Sequence, residues 1–151
     1  MSLVVAFLAG VIYPLGFAPY SIWPLTFFSL FVVFGALYLC RGRALLILAC
    51  FAIGKNLVGV SWVYHSIHVF GNAEPFLAGL IVCVFVLILS GFYLPAGLII
   101  NFISKQKNLS PHSYLLLFAA CMAFTEWLLT WFMSGFPWLF AGHSVLSLIH
   151  I

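Results

Sequence analysis

Charge is what this sequence has least of. Two acidic and five basic residues are all it carries in 151 positions, whereas a soluble domain devotes about a quarter of its residues to charge. A water-facing surface cannot be built from that stock. A soluble domain is therefore excluded, and the chain is read as an integral membrane protein, in keeping with its 66% hydrophobic residues and mean hydropathy of +1.29. The basic residues are scattered, with no patch of the kind that nucleic acid requires, so nucleic acid is set aside as a partner. Also missing is any CxxC pair or His-containing ligand spacing: Cys40, Cys50, Cys83 and Cys121 stand alone in or beside apolar runs. They are read as small buried hydrophobes, and no metal or cofactor is expected. The first segment has neither the basic start nor the small-residue cleavage site of a signal peptide and is read as a retained anchor. The alternating polarity of β-barrel strands, in segments of about 10 residues, is absent from runs such as "LTFFSLFVVFGALYL" and "LAGLIVCVFVLILSGFYL". The fold class is all-α, a polytopic transmembrane helical bundle.

A bilayer-crossing helix takes roughly 20 mostly apolar residues, which leaves room for about five spans. Clusters of Pro, Gly and charge place them near 2–18, 22–40, 44–63, 76–103 and 112–133. At about 1.5 Å per residue the fourth exceeds a ~30 Å core and must tilt or bend, with Pro95 as the bend point. Arg41 and Arg43 lie in the second connection and Lys105 and Lys107 in the fourth, while the first and third hold no basic residue. The positive-inside rule then puts the N-terminus and the even connections in the cytoplasm. It puts "GNAEP" (71–75) and "SGFPWLFAGHS" (134–144) on the far face, together with Tyr20, Trp23, Trp62, Tyr64 and Trp138. An interfacial aromatic belt has that same composition.

Lys55 and Glu126 are the ionisable residues deep within these spans, where a central charge costs at least about 2.5 to 3.5 kcal/mol. Counted from the inner ends of their helices they sit at similar depths, roughly 16 and 20 Å along the axis. The expectation is a structural pair inside the bundle, with Asn56 nearby, because an unpaired charge in lipid is far worse. The functional alternative is a small multi-pass transporter or assembly factor in which the two relay or bind an ion. His65 and His68 form an HxxH without a third ligand at helical spacing, so a metal site is not expected.

Three stretches share the far face: "PLGFAPYSIWPL" (14–25), "SWVYHSIHVFGN" (61–72) and "TEWLLTWFMSGFPWL" (125–139). In order, spacing and sidedness they resemble the membrane part of apolipoprotein N-acyltransferase, over about residues 8 to 145. Two departures stand out. Leu129 occupies the place where the family usually has Arg after "EWL", so Lys55 becomes the candidate cation for Glu126. His143 and Val145 replace the usual Tyr and Gln. Pro19 and Pro24 sit badly inside a helix and force irregular chain at the interface, as do Gly135 and Pro137. A groove is expected there, lined by Trp138, Phe136, Pro137, Tyr64, His68 and Phe70. The resemblance implies that it handles a phospholipid acyl donor and a diacylated lipoprotein acceptor, in the bacterial inner membrane. It also implies a Cys nucleophile, a Glu base and a Lys oxyanion stabiliser on a nitrilase-like domain outside the membrane. None of these catalytic residues is expected on this chain, whose four Cys are held inert by apolar surroundings. The chain alone is therefore expected to be inactive, a partner to further C-terminal helices and that catalytic domain.

The last six residues, "LSLIHI" (146–151), are what CTG TCT CTT ATA CAC ATC encodes, the transposase mosaic end used to prepare sequencing libraries. This predicts a native transmembrane domain over residues 1–145 followed by an adapter-derived tail. A natural truncation with its own role is the alternative.

Overall fold

The computed structural model describes residues 1–106, 108–132 and 135–148. Expectations that touch Lys107, Met133, Ser134 and the tail positions 149–151 lie outside the described residues.

The described residues form helices joined by short loops. They are α1 (Ser2–Ile12), prolonged by a 3-10 turn (Tyr13–Gly16), α2 (Pro24–Leu39), α3 (Ala44–Gly59), α4 (Trp62–His65), prolonged by a π-turn (Ser66–Phe70), α5 (Pro75–Gly91), α6 (Leu94–Gln106), α7 (Pro111–Trp131) and a terminal 3-10 segment (Ala141–Leu148). Proline opens α2, α5 and α7, where its missing N–H costs nothing and its fixed φ suits the first turn. Ser110 adds a side-chain cap, its Oγ accepting from Ser113 N–H at 3.2 Å.

The boundaries differ from the expected spans where the backbone runs short of hydrogen bonds. The expected span 44–63 is interrupted: α3 stops at Gly59, and the chain bends by 44° before running on to Phe70. The fourth span runs from Pro75 to Gln106, and its break falls at Phe92–Tyr93, just upstream of Pro95. Pro95 has no N–H to donate one turn back, so the ladder opens there. By length and composition, Pro75–Gln106 and Pro111–Trp131 can each cross a membrane, and the bent pair Ala44–Gly59 with Trp62–Phe70 makes a third if it is one span. Ser2–Gly16 and Pro24–Leu39 are shorter apolar helices.

Helix α3 is the hub. A Cβ on Gly10 would collide with the Phe51 carbonyl oxygen, and one on Gly54 with the Phe7 carbonyl oxygen. The backbones of α1 and α3 therefore touch where both helices carry glycine, the close crossing that small residues permit in lipid. Gly97 does the same for α6, since a Cβ there would stand 2.6 Å from Leu45 Cα. Hydroxyls join α1 to α2: Ser29 Oγ donates to Ala9 O (2.5 Å) and Thr26 Oγ1 to Tyr13 O (3.2 Å). Rings join α2 to α7, with Phe34–Phe118 centroids at 6.0 Å and Tyr38–Tyr114 at 5.7 Å. Of the four cysteines Cys121 is buried, Cys40 and Cys50 are half-buried and Cys83 is exposed on α5. The expectation of buried thiols thus fails for Cys83, which lies on an outward face of its helix.

Candidate site at the mouth of the bundle

Lys55 lies on α3's core face toward the helix's C-terminal end and is 1% exposed. Its Nζ donates to Tyr93 OH at 2.6 Å and stands 4.6 Å from the Tyr13 ring centroid and 5.3 Å from that of Tyr93. Asn56 Nδ2 donates to Ser90 Oγ at 3.2 Å. The expected direct pairing of Lys55 with Glu126 is not what forms. Glu126 Oε1 instead accepts the backbone N–H of Ala141 at 2.9 Å. Two features of the chain explain the change. The break ahead of Pro95 delivers the Tyr93 hydroxyl to the ammonium, and the segment after α7 doubles back to bring an N–H to the carboxylate. The result is a polar knot in which the ammonium meets the Tyr93 hydroxyl and the Tyr13 ring.

The doubling back is the structure's main device at this end. Gly135 takes φ +78, and Phe136 N–H donates to Leu129 O at 2.7 Å, turning the chain over the end of α7. Leu139 then inserts between helices. It is 6% exposed, and it packs where a side chain on Gly59 would otherwise be. It does so at φ +56, a left-handed conformation that costs a branched residue about 1 to 2 kcal/mol and persists only where the surroundings over-determine it. Three bonds supply that constraint: Tyr13 OH to Leu139 O (3.1 Å), Trp138 Nε1 to Gly59 O (2.8 Å) and the Ala141–Glu126 contact. Residues 135–148 thus form a strap fastened to α1, α3 and α7.

Under the strap opens a cavity of about 490 Å³, lined among others by Pro14, Phe17, Pro19, Trp62, Trp138 and His143. Trp62 and Trp138 meet on its wall, with centroids 5.6 Å apart and ring planes tilted by 55°. Of the six residues expected to line one groove, Trp138 is in this cavity. Phe136 lies edge-on to Phe85 at 5.2 Å with its centroid 6.1 Å from that of Trp138, and Pro137 is exposed. Tyr64 and His68 pair with each other at 5.6 Å on the α4 and π-turn segment, where His68 Nδ1 lies 2.8 Å from Ala73 O. Phe70 is exposed against His65. Sequence reasoning missed Pro14, Phe17 and Gly59; the "PLGF" that precedes the first wedge proline was the one visible signal for the first two, and Gly59 had none.

Residues 9–151 match the family model described as the apolipoprotein N-acyltransferase N-terminal domain. The chain belongs to this family. It is similar to apolipoprotein N-acyltransferases of Azotobacter vinelandii (39% identical over 144 residues), Coxiella burnetii (38% over 150) and Vibrio cholerae (39% over 140). These alignments cover 94%, 97% and 89% of the chain, and 28%, 30% and 26% of the respective relatives. The chain thus spans under a third of the length of the apolipoprotein N-acyltransferases it matches. Nothing in them favours the transporter alternative, and the knot accounts for Lys55 and Glu126 with neutral partners.

Proposed function

We propose that this chain is the membrane part of an apolipoprotein N-acyltransferase. The complete enzyme would move an acyl chain from a phospholipid to the N-terminal amine of a diacylated lipoprotein. The reading carries the N-terminus on the cytoplasmic side of a bacterial inner membrane, five crossings, and the outer mouth facing the catalytic domain. The observation that supports it best is the cavity beneath the strap. It opens at one end of the bundle, it is walled by Pro, Phe and Trp, and it is built from parts of the stretches that carry the family likeness. Large apolar surfaces with indole N–H groups suit the boundary between acyl chain and headgroup. Acyl transfer through a covalent intermediate needs an activated nucleophile and a donor to the oxyanion; the resemblance implies a Cys, a Glu and a Lys for these roles, which the rest of the complete enzyme would supply.

The test is to join residues 1–145 to the remaining length of the Azotobacter vinelandii relative and to assay acyl transfer from phospholipid to a diacylated lipopeptide in vesicles. The chimera should transfer and the chain alone should not. Transfer by the chain alone, or none by a correctly inserted chimera, refutes the proposal.

A further inference from the structure

The cavity under the strap has two kinds of wall. Of the residues that line it, Pro14 and Leu139 are buried, whereas Tyr20, Ser61, Trp62 and His143 are exposed. An apolar floor therefore lies beneath a rim that carries a phenol, a hydroxyl, an indole and an imidazole. Ser61 Oγ donates to Val58 O at 2.9 Å and Trp138 Nε1 to Gly59 O at 2.8 Å, so both are spent on the end of α3. That leaves the polar tips of Tyr20, Trp62 and His143, unpaired among the described residues, to meet a ligand. The imidazole is held at the rim. Its ring stacks on Phe140 with centroids 5.4 Å apart, and the His143 backbone N–H donates to Phe140 O at 2.9 Å.

No carboxylate lines the cavity, and Glu126 spends its Oε1 on the Ala141 N–H. A positive charge lies beneath it instead. Gly59 is in the lining, and Lys55 sits four residues earlier on the same face of α3, one turn or about 6 Å down the axis. The Tyr13 ring bridges them: it lies 4.6 Å from the ammonium, and its hydroxyl donates to Leu139 O in the floor. The ammonium's own hydrogen-bond partner is the neutral Tyr93 phenol. Its field is therefore not cancelled at contact, and in a low-dielectric interior it carries over such a distance.

We propose that the cavity reads the phosphodiester of a phospholipid, whose oxygens accept from His143, Trp62 and Tyr20 at the rim while the start of one acyl chain lies against Pro14, Phe17 and Leu139. A phosphodiester suits this rim because it brings negative charge and acceptors, and hydrogen bonds to such an anion are stronger than neutral ones. The inference rests on the reading of the cavity as a lipid site and adds which part of the lipid is recognised and by which side chains.

The chain in neutral detergent, titrated with dioctanoyl phosphatidylglycerol, dioctanoylglycerol or glycerol 3-phosphate and followed by native mass spectrometry, tests it. Phosphatidylglycerol should bind at least about tenfold tighter than either of the others. His143→Phe should cost phosphatidylglycerol roughly fivefold and Trp62→Phe about threefold, with dioctanoylglycerol unchanged, whereas His143→Gln, which keeps an N–H, should retain most of the affinity. Dioctanoylglycerol binding as tightly as phosphatidylglycerol overturns this inference while leaving the lipid cavity intact; binding of neither lipid overturns both. Glycerol 3-phosphate binding as tightly as phosphatidylglycerol also overturns it, by showing an anion site that ignores acyl chains. So does a preference for phosphatidylglycerol that both phenylalanine variants keep in full, which would put the phosphate elsewhere on the chain. His143 and Trp62 are exposed, so each variant is expected to fold, and circular dichroism checks that it does.

Discussion

Replacing Leu139 by alanine should unfasten the strap, and Gly59 offers a way to show that the fit beneath it is the reason. The Leu139 side chain is almost fully buried, and truncating such a leucine costs about 2 to 5 kcal/mol. The lower half of that range applies here, because the mouth of the bundle can relax around the gap. Gly59→Ala attacks the same contact from the other side. Its Cβ would strike Leu139 Cδ1 and stand 3.3 Å from Cγ and 3.5 Å from Pro14 Cγ, an overpacking worth about 1 to 3 kcal/mol, offset by up to ~1 kcal/mol of helix propensity. In the double variant the methyl added by Gly59→Ala has room left by the shortened leucine. The second substitution should then add nothing, or restore part of the loss, giving a coupling of about 1 to 2 kcal/mol. Reversible unfolding in mixed micelles, followed by tryptophan fluorescence, measures all four corners of the cycle. Losses that add to within ~0.5 kcal/mol would show that Leu139 and Gly59 do not meet, and the strap would need another anchor.

Gly54→Ala should cost more than ~2 kcal/mol because its Cβ meets backbone, which cannot step aside, whereas Gly79→Ala, with no atom near its Cβ, should be neutral or gain up to ~1 kcal/mol. The same unfolding assay compares them. Tyr93→Phe removes a hydrogen bond to a buried ammonium and should cost about 1.5 to 3 kcal/mol; in a Lys55→Met background the cost should fall below ~1 kcal/mol. A cost that survives in that background would mean the phenol serves something other than Lys55. Glu126→Gln keeps a carbonyl oxygen for the Ala141 N–H and should change stability by less than ~1 kcal/mol. Glu126→Leu strands that N–H for about 1 to 3 kcal/mol and should speed cleavage of the strap after Phe140 by chymotrypsin.

What could be read from the sequence depended on whether the deciding partner was a side chain or a backbone group. Prolines were partly legible: Pro75 and Pro111 open helices at the expected breaks and Pro95 marks the break in the longest one, whereas Pro24, expected to force irregular chain, is the first residue of α2. The all-helical class followed from apolar runs that do not alternate. The interruption at Val60–Ser61 has no proline to announce it, so the expected third span ran unbroken through it to residue 63. The polar knot was half legible. Matching depths brought Lys55 and Glu126 to attention, yet an inventory of charges overlooks that Tyr13 and Tyr93 also carry apolar bodies with polar tips. Glu126's partner could not be found by pairing side chains at all, since it is a main-chain N–H 15 residues downstream.

Trp138 shows how the two kinds of information meet. As a member of an interfacial belt it would keep its indole N–H for water or headgroups, and phenylalanine would replace it at almost no cost. In the fold its Nε1 is spent on the Gly59 carbonyl, one of the oxygens left over because α3 ends there. The bond therefore exists only because the helix stops and the strap returns. Trp138→Phe should lose about 0.5 to 1.5 kcal/mol and quicken strap proteolysis. Trp131→Phe, at a residue 55% exposed whose ring meets Trp127 and Phe132, should do neither. Equal, negligible effects at both positions would return Trp138 to the belt and leave the strap held by Tyr13, Leu139 and Glu126 alone.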